Sequence, residues 1–198
     1  MQYEAKNFEH LLGIKGFSDQ LLKNHFTLYQ GYVTNTNKLA EDLGNAMKGG
    51  LVGTPAFAEL KRRFGWEFNG MRLHELYFGN MSKTKKEMKT TSELMKLMTE
   101  SFGSGENCHK DFIATGTSRG IGWVIMYYDP QVKRLFNTWI NEHDVGHLSG
   151  CIPLLSMDVF EHAYMLDYGL KKAEYITAFI ESIDWNVVEE RVKVAQKL

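Results

Sequence analysis

Asp158-Val159-Phe160-Glu161-His162-Ala163-Tyr164 sets a carboxylate and an imidazole four residues apart, among side chains of the kind that proteins bury. Residues four apart on a helix project from one face about one turn from each other, so a helix opening here would turn Asp158 and His162 toward a single ion. Carboxylate and imidazole together suit iron, manganese or zinc. The same residues also fit a helix capped by Asp158 with His162 hydrogen-bonded in the core. Further ligands elsewhere in the chain decide between the two.

Toward the N-terminus, residues 18–48 hold no proline, and Leu21, His25, Leu28 and Tyr32 follow an i, i+4, i+7, i+11 pattern, which predicts a long amphipathic helix with Gly31 as a point of bending. Thr54-Pro55 is a cap followed by a first-turn proline; it predicts a second helix to about Phe78, with Phe64, Met71, His74 and Phe78 on one stripe. The two form an antiparallel hairpin, and each carries one histidine inward. A lone histidine in such a place is more often a core residue than a ligand. His25 and His74 joined to Asp158 and His162 make three imidazoles and one carboxylate, a set that leaves a coordination position open for solvent or substrate.

Beyond the hairpin, Lys83–Thr91 is a charged stretch that reads as a joint or as a solvated helix face. Short helical patterns follow around Ser92–Phe102 and Asn107–Thr117. Gly122–Tyr128 and Leu135–Ile140 are rich in β-branched and aromatic residues, and the turn signal Asp129-Pro130 between them predicts an antiparallel strand pair. Cys151–Met157 supplies a third strand, and helix returns after Asp158, ending with Ile183–Val194 capped by Asp184. The order is α+β: an N-terminal antiparallel long helical hairpin (1–85), then a C-terminal domain (86–198) with a small three-stranded antiparallel sheet flanked by helices, the metal site lying between the two.

The 198 residues are 43% hydrophobic and 13% aromatic, enough for a packed core. The 23 basic and 24 acidic side chains leave a net charge of −1, which argues against a general nucleic-acid-binding face. Cys108 and Cys151 lack CxxC spacing and read as free thiols in a reducing compartment. Met1–Lys6 has no basic and apolar leader pattern, and no run approaches the roughly 18 apolar residues of a membrane span. The expectation is a soluble, cytoplasmic protein with neither a membrane nor a nucleic acid as partner.

Several stretches resemble one family at independent points along essentially the whole chain. Residues 158–164, DVFEHAY, are similar to the DVWEHAY ligand motif of the iron/manganese superoxide dismutases. Met71–Phe78 resembles that family's second-helix segment, in which a tryptophan follows the second histidine ligand by four residues; here Phe78 stands there. Tyr32-Val33-Thr34-Asn35-Thr36-Asn37 matches its YVxNxN run, Gly122-Trp123 its glycine-tryptophan strand, and Ile152-Pro153-Leu154-Leu155 its xPLL lead-in.

The resemblance implies disproportionation of superoxide to dioxygen and hydrogen peroxide at one redox ion per subunit, iron preferred over manganese, held by His25, His74, Asp158 and His162. It implies Tyr32 at the mouth of the site as a proton relay, and Phe78, Trp123 and Phe160 as a dry wall. Glu161 would pair with the third histidine ligand of an opposite subunit, giving a homodimer or a dimer of dimers.

Departures mark this chain. The family sets its first histidine eight residues before the tyrosine, a position held by Asn24, whereas His25 lies seven before Tyr32. Positions seven apart on a regular helix fall only about 20° from one another, which favours His25; the family spacing needs a local bulge that a regular helix lacks. In the family a glutamine, or in some members a histidine, hydrogen-bonds the solvent at the ion. Here Gly70 leaves the helix position empty and His143 stands at the alternative one, as it does in iron-using and metal-tolerant relatives. The gateway histidine is replaced by Tyr29, the closing tyrosine pair is Tyr164-Met165, and Lys172 replaces an arginine before Tyr175, where it is the first candidate for steering the anion. The altered entrance motivates an alternative, a dismutase-like metal-binding protein without turnover; a zinc hydrolase built on the same cage has no specific motif behind it.

Overall fold

Ser18 starts the first long helix in the computed structural model, which describes residues 2–84 and 86–197. Its hydroxyl oxygen accepts the Leu21 amide at 3.0 Å, and its own amide and hydroxyl donate to the Asp167 carboxylate at 2.7 Å each. The cap satisfies an amide that the helix cannot, and Asp167 ties this end to the far half of the chain. Helix α1 runs Asp19–Lys48. Thr54 caps α2, Pro55–Gly79, with proline in its first turn. Contacts pair His25 with His74, Tyr32 with Gly70, and Asn35 with Glu67, so the helices are antiparallel. A Cβ on Gly70 would lie 2.5 Å from the Tyr32 ring; glycine is what lets that ring lie against α2.

Met81 bridges to Ile183 and Lys86 to Asp184, fastening the stretch after α2 to the C-terminal end. Lys85, where the expected domain boundary falls, lies outside the described residues. Helices α3, Glu93–Phe102, and α4, Gly105–Thr117, begin at Ser92 and Ser104, each accepting an amide of its own first turn.

The sheet has strands β1, Gly122–Asp129; β2, Arg134–Asn141; and β3, Ile152–Asp158, all antiparallel in the order β2-β1-β3. β1 is central and buried along nearly its whole length, so apolar and aromatic residues occupy both of its faces. Gly122 has φ +136, and a Cβ there would stand 1.9 Å from the Ile140 carbonyl oxygen, so only glycine fits the start of the strand. Trp123 faces Ile140 on one side and Asp158 on the other.

One local expectation is corrected. The run from Asp158 does not open a helix: Asp158 ends β3, and only a single 3-10 turn, Glu161–Ala163, follows. Pairing with β1 carries past it, since the Val159 amide donates to the Gly122 carbonyl at 2.9 Å, while the Asp158 carboxylate accepts the Phe160 amide at 2.8 Å. Strand pairing and that two-residue turn outcompete the helix. Helices α5, Met165–Tyr168, α6, Lys172–Ser182, and α7, Trp185–Ala195, complete the chain, with Asp184 capping α7.

A single apolar core joins the two halves, with Leu21, Leu22, Met71 and Phe78 from the hairpin and Trp123 through Met126, Phe112 and Phe179 from the rest. Arg191 of α7 fixes their relation, donating to the Leu154 carbonyl of β3 at 2.7 Å and the Leu76 carbonyl of α2 at 3.4 Å. Among the described residues, no helix is long and apolar enough to cross a membrane.

Candidate metal centre

His25 sits on the inner face of α1 and is 2% exposed. Its Nε2 lies 3.2 Å from Asp158 Oδ2. On α2, His74 donates from Nδ1 to the Gly70 carbonyl one turn back, at 2.6 Å. That bond places the ring proton on Nδ1 and leaves Nε2 a lone pair. His74 Nε2 is buried with no hydrogen-bond partner and lies 3.6 Å from Asp158 Oδ2. His162, in the turn after β3, brings its Nε2 to 3.0 Å from the same oxygen. Ligand atoms of the four residues all lie within 4.8 Å of one another.

These residues fit a transition-metal ion. A buried acceptor nitrogen with no donor is costly unless something electron-poor occupies the space before it, and His74 Nε2 is such an atom, aimed at the point where the other donors converge. Three imidazoles and a carboxylate form a donor set for iron, manganese or zinc.

The protonation states agree. Burial alone would raise the Asp158 carboxyl, but the charge of His162 and hydrogen bonds from His162 and His25 outweigh it and hold the group below the usual carboxylate range. Burial lowers His25, partly offset by Asp158. His74 is lowered further, by burial and then by the neighbouring His25. Near neutral pH both rings are neutral, the form that ligation requires.

Asn24, the alternative first ligand, is exposed and accepts a hydrogen bond from Gln20 at 2.8 Å. It lies on the outer face of α1, turned from the cluster.

Above the four residues stands a chain of hydrogen bonds. The Trp123 indole N–H donates to His143 Nδ1 at 3.0 Å, and an indole can only donate. Neutral His143 therefore carries its proton on Nε2, which faces the Tyr32 hydroxyl at 2.8 Å. Burial lowers His143 to about 4, with Asp158 partly opposing, so the ring is neutral across the physiological range. Tyr32 is pushed up, by burial first and then by Asp158 and Glu67. Because Tyr32 accepts from His143, its own O–H is left free to donate elsewhere.

Aromatic side chains enclose the cluster. Phe78 meets His25 with ring centroids 4.9 Å apart, and Trp123 meets His74 at 5.0 Å. Phe160 is stacked between His143 at 4.8 Å and His162 at 5.1 Å. Tyr164 does not reach the cluster: it stacks on Tyr175, which donates to the Asp158 backbone carbonyl at 2.6 Å. Glu161 is exposed. Lys172 is held apart from these side chains, donating to the Ser118 carbonyl at 3.0 Å beneath the Trp139 ring. Tyr29 turns its hydroxyl to Glu75 and the Lys6 amide.

Trp66 is the residue the sequence reading missed. Its ring lies 4.4 Å from that of His143 and 5.7 Å from that of Tyr32, its N–H donates to Glu142 at 3.0 Å, and Arg63 covers it at 4.1 Å. Trp66, Gly70 and His74 recur every four residues on α2, a signal masked by the apolar stripe of Phe64, Met71, His74 and Phe78.

A buried cage of three histidines and an aspartate, set between a helical hairpin and a small antiparallel sheet, defines the class as a mononuclear metalloprotein. Residues 89–191 match the family model for the C-terminal domain of iron/manganese superoxide dismutases. The chain is similar to the iron superoxide dismutase of Aquifex pyrophilus, 33% identical over 98% of this chain and 92% of the relative. It is also similar to manganese superoxide dismutase 2 of Haloferax volcanii, 34% identical over 91% and 89%, and to the iron enzyme of Cupriavidus metallidurans, 33% identical over 92% and 91%. The chain belongs to the iron/manganese superoxide dismutase family and is an enzyme of that type. Both metals occur among the relatives' names, so the family implies one iron or manganese ion without deciding between them.

Proposed function

We propose that superoxide disproportionation takes place at a single ion held by His25, His74, Asp158 and His162. The observation that carries this reading is the unpartnered, buried Nε2 of His74 directed at the other three donors. The chemistry such an ion would supply when bound is one-electron exchange between two superoxide anions, one leaving as dioxygen and the other, with two protons, as hydrogen peroxide. Asp158 keeps its charge in a buried place and so favours the higher oxidation state. Tyr32, its phenol kept protonated by burial, holds a proton at its hydroxyl oxygen for delivery at the mouth. His143, with its two ring nitrogens engaged by Trp123 and Tyr32, orients that hydroxyl so that the free Tyr32 O–H is the group turned to solvent at the centre, while Phe78, Trp123 and Phe160 exclude bulk water.

The centre joins units read as 1–85 and 86–198, since two donors come from the hairpin and two from the end of the sheet. Iron is the preferred ion, supported by histidine rather than glutamine at 143. A homodimer, or a dimer of dimers, is the assembly that the family resemblance supports, with Glu161 exposed and so free to meet the third histidine ligand of another copy. Lys172 remains the candidate for steering superoxide.

The test is superoxide decay by protein reconstituted separately with iron and with manganese, normalised to bound metal. Rapid decay with iron is expected. Full occupancy without decay would overturn the reading in favour of a metal-binding protein that has lost turnover.

A further inference from the structure

His147 looks like a surface histidine in the sequence, four residues beyond His143 in a loop rich in polar residues. Its imidazole is instead fixed at both nitrogens. Nε2 lies 2.9 Å from the His143 carbonyl oxygen, which can only accept, so the proton is on Nε2. Nδ1 then accepts from the Tyr127 hydroxyl, 2.6 Å away on β1. The Asn69 side-chain amide of α2 lies 3.5 Å from the same Nε2. One ring thus ties the backbone of residue 143 to the central strand.

The loop needs such a tie. It leaves β2 through Glu142 in a left-handed conformation, φ +50, which costs energy in a residue with a Cβ. On its other side Glu142 accepts the Trp66 indole proton, so His143 hangs between two anchored points. Tyr127 is buried in the sheet and its hydroxyl has His147 as its partner. The His143 ring makes two directional bonds, to Trp123 and Tyr32, and both depend on where its backbone is held.

We propose that His147 is a positioning residue of the dismutase centre: through the His143 carbonyl it holds the His143 imidazole in register between Trp123 and Tyr32. It touches neither the ion's ligands nor the reacting atoms, and its role rests on His143 acting as proposed above.

Three variants test this. His147→Phe keeps a ring of similar size and loses both hydrogen bonds; His147→Gln keeps a donor for the carbonyl and an acceptor for the tyrosine; Tyr127→Phe leaves His147 in place but frees one end. The first readout is hydrogen exchange of the Trp123 indole N–H by NMR in metal-free protein, which reports the bond to His143 whatever ion the centre takes. The second is turnover per bound metal. His147→Phe is expected to speed indole exchange and lower turnover by about tenfold each, Tyr127→Phe to act in the same direction more weakly, and His147→Gln to restore both. Unchanged indole exchange in His147→Phe overturns the proposal even where turnover falls, as does equal impairment by Gln and Phe. Should His147→Phe fail to fold, Tyr127→Phe decides by the same exchange measurement. Failure of the metal reading would show differently, as wild-type protein that retains neither iron nor manganese.

Discussion

At the residue scale, the first ligand is a matter of register, and two substitutions separate the choices. His25→Ala removes a buried donor 3.2 Å from Asp158 and should abolish metal retention, whereas Asn24→Ala, on the exposed face, should leave metal content unchanged by elemental analysis. Gly70 is held to glycine by the Tyr32 ring. Gly70→Ala is expected to cost about 1–3 kcal/mol of stability through overpacking, measured by denaturant unfolding; in a Tyr32→Ala background most of that cost should vanish, and additive effects would contradict the contact. His143 sets a pH dependence. Its folded value of about 4 lies below its ordinary 6.5, so below pH 6.5 the unfolded chain takes up a proton that the folded chain refuses until about pH 4. Stability of metal-free protein should therefore fall through that window, by on the order of 3 kcal/mol from this group, and His143→Gln should flatten the slope.

Elements explain what could be read beforehand and what could not. The helical hairpin was legible because its signals are local: a proline-free stretch over residues 18–48, the Thr54-Pro55 start, and the spacing of His25, Leu28 and Tyr32 that marks a face. The strands were legible from Trp123 to Tyr128 and from Leu135 to Ile140 for the same reason. The run at 158–164 was misjudged in conformation, since the pairing of Asp158 with Trp123 is a long-range event that no local pattern carries. The convergence of its carboxylate and imidazole was nonetheless legible. Trp66 and His147 escaped because their roles are set by the loop at 142–147 folding back on α2 and β1, again a tertiary matter. At this scale Ser18→Ala should lower stability by about 1 kcal/mol in thermal unfolding, with loss also of the tie to Asp167; an unchanged midpoint would mean that neither bond contributes.

Across the molecule, charge is close to balanced, so any steering of superoxide comes from local groups. Lys172 is partly buried, its ammonium lowered by burial and occupied by the Ser118 carbonyl. Arg63, nearer the mouth, is neutralised by Glu67 at 2.6 Å. Lys172→Gln is expected to lower the rate at low ionic strength and leave it unchanged once salt shortens the screening length; a loss that persists at high salt would contradict steering.

Asp158 and His25 meet across 133 positions of sequence, and three of the four donors lie in the dry interior. An ion bound there would act as a cross-link that closes a long loop of the chain, and its release would require donors on α1, α2 and the end of β3 to part from it together. Exchange should thus run no faster than the parting of α1 and α2 from β3, an opening on the scale of subglobal unfolding. The identity of the metal is then fixed when the chain folds, by whichever ion is abundant at that moment, and the finished enzyme keeps a record of the conditions under which it was made.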